Sequence, residues 1–125
     1  MTARQARRLA GVAMIIVGAA LALSPHAVAD ALGRPAHTSS LLINLRASWG
    51  GTLAGLGGFV AWLPALRPWW RAAVGLVAWA MAGIGAARLL GFALDGAPDR
   101  RQLVWIAAEV VLAVGGAVAL ARRRR

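Results

Sequence analysis

Residues 79–112 read WAMAGIGAARLLGFALDGAPDRRQLVWIAAEVVL, and in this stretch one arginine and one glutamate each interrupt an otherwise apolar run. Arg88 lies six residues before Leu94, where the first run ends, and Glu109 lies six residues after Leu103, where the second begins. At about 1.5 Å of rise per residue, both charges sit ~9 Å from the same end of an antiparallel helix pair. The turn Asp95-Gly96-Ala97-Pro98-Asp99 folds one run back on the other, with Asp99 placed to cap the second helix. An ionised side chain on a lone transmembrane helix costs at least ~2.5–3.5 kcal/mol, so each charge must face protein and find a partner. The stretch therefore reads as a membrane hairpin with Arg88 and Glu109 paired, and the remaining helices as its packaging.

Towards the N-terminus, the first arm of the hairpin extends to a third span at 72–94, with Gly83, Ala87 and Gly91 along a small-residue face. Before it, Arg67-Pro68-Trp69-Trp70-Arg71 is a tight turn whose Trp69 and Trp70 suit an interfacial anchor. No acidic residue stands near enough to make it a cage for a cationic ligand. The second span, 41–66, carries Asn44 and Arg46 near its start and Pro64 near its end. Small residues four apart, Gly50/Ala54/Gly58 and Gly51/Gly55, let helix backbones approach closely in lipid and place this helix at the bundle centre. The same glycine density also suits a broken helix. The first span, 9–29, follows Arg4, Arg7 and Arg8. With Ala27-Val28-Ala29 before Asp30 it also matches a cleavable secretory signal, while Gly11, Gly18, Ala19 and Ala22 offer a packing surface for a retained helix. Beyond the hairpin, the fourth span, 103–121, ends in Arg122 to Arg125, a stop signal and lipid-phosphate contact.

Composition bounds the reading. The chain has 125 residues, 60% of them hydrophobic, and mean hydropathy +0.67. Soluble domains are usually about 45–50% apolar, so this is an integral membrane protein, too short to carry a large catalytic domain beside its spans. It contains no cysteine, which excludes disulfides and thiolate metal sites. His26 and His37 have no cysteines or acids around them that complete a ligand set, so no metal and no cofactor is expected. The formal charge of +10 comes from fourteen arginines, which punctuate apolar runs rather than line a folded face. That argues for topology signals and against nucleic acid. With both termini cytoplasmic, the cytoplasmic segments hold Arg4, Arg7, Arg8, Arg67, Arg71 and the four terminal arginines with no acid. The other side holds Arg34, Arg46, Arg88, Arg100 and Arg101 with Asp30, Asp95, Asp99 and Glu109. This is the positive-inside pattern of an even number of spans in a bacterial inner membrane.

Asn44, Arg46, Arg88 and Glu109 fall at similar depth in the outer part of their helices. They read either as a structural pair, Arg88 with Glu109 and Arg46 joining, or as a net positive pocket for a carboxylate, phosphate or lipid headgroup. No catalytic residue is assigned, because the chain has no cysteine or tyrosine and no second deep carboxylate accompanies Glu109.

The ordered set Asn44-Leu45-Arg46-Ala47 followed by Gly50-Gly51, then Ala87-Arg88, Asp95-Gly96-Ala97-Pro98 and Glu109 resembles a bacterial four-helix membrane family, domain-of-unknown-function family 4345, loosely akin to DoxX-like proteins. The resemblance implies four retained helices and brings no activity. The expected fold is all-α: an antiparallel up-down four-helix transmembrane bundle with short loops. The expected function is a non-enzymatic membrane interaction or anionic-lipid-binding protein, partnered by the bilayer, by another membrane protein or by its own copies. A small oligomeric transporter or proton-coupled carrier using Glu109 is the alternative, and a lipid-modifying enzyme the third.

Overall fold

The computed structural model describes residues 1–63 and 65–122. Pro64, expected near the end of the second span, and Arg123, Arg124 and Arg125 of the terminal block lie outside the described residues.

Thr2 opens α1 (Ala3–Leu23) with a reciprocal cap: the Gln5 backbone N–H donates to Thr2 Oγ1 (3.2 Å) and the Thr2 N–H to Gln5 Oε1 (2.8 Å). Two otherwise orphaned donors are thereby satisfied. The helix stops at Leu23 because the next residues are Ser24, which leaves helical geometry, and Pro25, which has no N–H to continue the ladder. Pro25 instead starts α2 (Pro25–Ala31), where its fixed φ suits a first turn. The expected first span at 9–29 is thus two helices, and with residues 39–61 counted as one continuous helix the described residues form five helices where four were expected.

Thr38 accepts from the Leu41 N–H (3.2 Å) to cap α3 (Ser39–Leu45). The chain then runs without a break through a π-helical segment (Arg46–Gly51) into α4 (Thr52–Ala61). The stretch 39–61 is therefore one helix with a widened turn at its glycine pair, neither regular throughout nor broken. It ends at Ala61, short of the expected 66, as the residues before a proline disfavour helix. After it come α5 (Trp69–Asp95) and α6 (Arg100–Arg122), the latter capped by Asp99 Oδ1, which accepts from the Gln102 N–H at 2.9 Å. Three helices, α1, α5 and α6, are long and apolar enough to cross a membrane. The π-helical turn divides 39–61 into shorter α-helical pieces.

Close glycine contacts set the neighbours. Gly11 lies against Gly57 and Ala61, Gly18 against Gly50 and Ala54, so α1 runs antiparallel to the 39–61 helix. On the other side a β-carbon added to Gly51 would stand 2.7 Å from the Gly83 carbonyl oxygen, Gly55 lies against Trp79 and Ala80, and Gly91 against Ile43. The row facing α1 is thus Gly50, Ala54 and Gly57. Gly58 turns to α5, where the Trp79 ring covers it and stacks on Trp62 at 5.5 Å. A 3.6-residue period explains this: seven residues return nearly to the same face, eight overshoot it. On α5 the far face meets α6, with Ala78 against Gly116 and Gly85 against Glu109.

The long helices therefore lie in a row, α1, then 39–61, then α5, then α6, each antiparallel to the next. Among the described residues α6 buries only Gln102 and Glu109, and its Val104, Val111 and Val114 are exposed. It meets α5 through small residues, Gly116 on Ala78, and through the polar contacts of Gln102 and Glu109.

Candidate functional site

Arg88 and Glu109 meet where α5 crosses α6. Arg88 Nε donates to both Glu109 oxygens at 3.0 Å and Nη2 donates to Oε1 at 2.8 Å, with both side chains about 95% buried (6% and 5% exposed). The remaining edge of the guanidinium is also used: Nη1 donates to Asn44 Oδ1 (3.0 Å) and to Gln102 Oε1. A cation accepts no hydrogen bond, so these contacts orient both amides. Gln102 Nε2 then donates to Asn44 Oδ1 (3.1 Å), Ser40 Oγ (3.1 Å) and the Ser40 carbonyl (3.3 Å). Ser40 Oγ donates in turn to Asp99 Oδ2 at 3.2 Å. One chain of polar contacts thus runs from the exposed Asp99 at the α5–α6 turn to Glu109 and joins α3, α5 and α6. Asp99 is held below the usual carboxylate range, chiefly by the Gln102 N–H it accepts and also by Ser40 and Arg101.

Arg46 goes elsewhere. Its Nε and Nη2 make a bidentate pair with Asp95 (2.7 and 2.8 Å), and Nη1 donates to the Ala22 carbonyl at the end of α1 (2.5 Å). A cation at a helix C-terminus meets the negative end of its dipole. Arg46 therefore does not join Glu109, and the net positive pocket expected from Arg46 and Arg88 is not formed. Two separate neutral pairs stand in its place, each tying neighbouring helices together.

Beside the Arg88 network, an open groove of about 450 Å³ runs between the 39–61 helix and α6, with α5 as its floor. Asn44, Ser48 and Thr52 line one wall, Trp105, Ala108 and Leu112 the other, and Met81, Ile84 and Arg88 the base, with Glu109 beside Arg88. Asn44 is exposed to this space although its Oδ1 is engaged. Ser48 and Thr52 were not singled out from the sequence. Their four-residue spacing from Asn44 was the available signal, masked by the glycine pattern around them. Gln102 was missed too, although it lies seven residues before Glu109, two turns along the same face. Trp69 is 76% exposed, and Arg71 lies 5.4 Å over the Trp70 ring and donates to the Leu120 carbonyl (3.1 Å), closing the opposite end of α6. Among the described residues no group of three His, Cys, Asp or Glu side chains could hold a metal ion.

Residues 3–120 match the family described as Domain of unknown function (DUF4345), and the chain belongs to that family. No curated protein and no solved structure matches it.

Proposed function

We propose that the protein is a four-span membrane protein of the bacterial inner membrane that works by binding a membrane constituent, and that the lateral groove between 39–61 and α6 is its binding site. The observation that carries this is the state of Arg88 and Glu109. They lie at the groove base, but each is engaged by the other, and an acid or base needs a proton position free to exchange. What remains open in the groove are amide and hydroxyl groups, which bind and orient rather than react.

The 39–61 helix, about 34 Å long at 1.5 Å per residue, is long enough to be the fourth span beside α1, α5 and α6. The arginine distribution then favours cytoplasmic termini, with the Asp99 end of the network on the other side. At the cytoplasmic end Arg4, Arg7, Arg8, Arg67 and Arg71 suit contact with anionic lipid phosphates.

Filling the groove without touching the charge network tests the reading. Native mass spectrometry of the gently extracted protein is expected to show a retained membrane component in the wild type. Ser48→Trp, or Thr52→Phe as a second filling variant, is expected to lose it with helix content unchanged. Equal retention in all three would overturn the proposal. Because Glu109 borders the groove, a proton-coupled carrier is the second reading, and Glu109-dependent flux in liposomes would favour it over simple binding.

A further inference from the structure

We infer that the groove takes an uncharged glycerolipid, its hydroxyl and ester carbonyls on the Asn44–Ser48–Thr52 wall and its acyl chain over Met81, Ile84 and Leu112. This rests on the groove being a binding site and names what it holds. The first ground is charge. Arg88 and Glu109 are the charged residues of the lining, and they cancel. A charged headgroup would be desolvated there with no counter-charge to receive it, a costly transfer.

The second ground is hydrogen bonding. Asn44 lines the groove, and its Oδ1 accepts from Arg88 and Gln102. Among the described residues, Asn44 Nδ2 and the Ser48 and Thr52 hydroxyls make no side-chain hydrogen bond to protein. Polar groups without partners in lipid cost several kcal/mol each, so this wall favours a ligand rich in acceptors. Asn44 to Thr52 spans eight residues, ~12 Å of helix, the scale of a glycerol backbone and the first carbons of a chain.

The third ground is depth. α5 has 27 residues, ~40 Å of helix, about 10 Å more than the hydrocarbon core, so roughly 5 Å projects at each end. Arg88 lies seven residues from the end of α5, ~10 Å in, and therefore ~5 Å below the hydrocarbon boundary. A phosphate would have to sink from the headgroup layer to reach it, whereas the head of a neutral glycerolipid can lie at that level. Along the groove the polar wall of Asn44, Ser48 and Thr52 stands opposite the apolar Ile84, Met81 and Leu112 over the same depth, so ester groups and chain can lie side by side. The volume, about 450 Å³, is in the range of small-ligand sites.

The test is photolabelling of the full-length protein in nanodiscs. The probes are a diazirine-bearing diacylglycerol and a phosphatidylglycerol carrying the same diazirine chain, with labelled sites mapped by peptide mass spectrometry. The diacylglycerol probe is expected to label around Ile84 and Leu112 and to be displaced by unlabelled dioleoylglycerol. Ser48→Ala/Thr52→Ala is expected to lower that labelling at least about fivefold. Ser48→Trp should abolish it, with circular dichroism showing a folded chain in each case. If phosphatidylglycerol labels the same residues as well or better, the neutral-lipid assignment fails while the groove stands as a binding site. If neither probe labels the groove, or Ser48→Trp changes nothing, the groove reading itself fails. Cross-linking of groove residues to a second protein chain in place of lipid would also overturn the assignment.

Discussion

Replacing Glu109 by leucine removes three of the contacts made by the Arg88 guanidinium and leaves its charge buried with two neutral amide acceptors, Asn44 and Gln102. Breaking a buried pair in this way typically costs about 3–5 kcal/mol, because the surviving charge is stranded rather than because the pair itself was worth so much. Arg88→Leu strands Glu109 and should cost about the same. The double substitution strands neither charge: Gln102 Nε2 keeps Ser40 and Asn44, and only the buried Gln102 Oε1 loses its donor. It should therefore be within about 1–3 kcal/mol of the wild type, giving a coupling energy of about 3 kcal/mol or more in a double-mutant cycle. Denaturant unfolding in a defined micelle, followed by tryptophan fluorescence and circular dichroism, measures all four corners. Because α6 buries little else, the single variants should also release α6 first, seen as faster proteolysis at the α5–α6 turn. If the two single costs simply add in the double variant, the stranded-charge explanation is wrong.

Asp95→Asn should weaken the clamp of Arg46 on α5 but leave its bond to the Ala22 carbonyl, costing about 1–3 kcal/mol; combined with Glu109→Leu the two costs should add, since the networks share no residue. Gly83→Leu should prevent folding, because any side chain there meets the backbone of Gly51 and Gly55, whereas Gly115→Ala meets nothing within 4 Å and should stabilise by about 0.5–1 kcal/mol in the same unfolding assay. Asp99 has its pKa lowered from 3.8 on folding by the N–H of Gln102, so its contribution is complete above that ordinary value and is lost as pH falls through the lower folded value. Wild type and Asp99→Asn should accordingly differ in stability at neutral pH and converge on acidification; a difference constant from pH 7 to pH 3 would count against the cap.

Much of the site was legible because depth can be counted. Arg88 and Glu109 are each six residues from the turn that joins their helices, and a helix has a constant rise, so their meeting follows from the chain itself. Asp99 as a cap follows from local chemistry in the same way. Arg46 was misplaced. Its guanidinium reaches both Asp95 and the end of α1, and the choice between Asp95 and Glu109 depends on which side of the 39–61 helix the arginine faces. Depth alone grouped it with Asn44, but two residues on a helix are about 200° apart, so Asn44 faces Arg88 and Arg46 faces the other way. The short helix at Pro25 was hidden because proline inside an apolar run is compatible with both a kinked span and a new start.

Composition and periodicity by themselves determined that this chain is helical, has helices long and apolar enough to cross a membrane and carries matched charges on neighbouring helices, because apolar content and helical rise are properties of the chain alone. The order of the helices in a row, the division of four charges into two neutral pairs, and the open wall of Asn44, Ser48 and Thr52 were decided only in the tertiary structure. Which helix faces meet depends on how closely glycine backbones can approach across space, and one-dimensional spacing does not contain that distance.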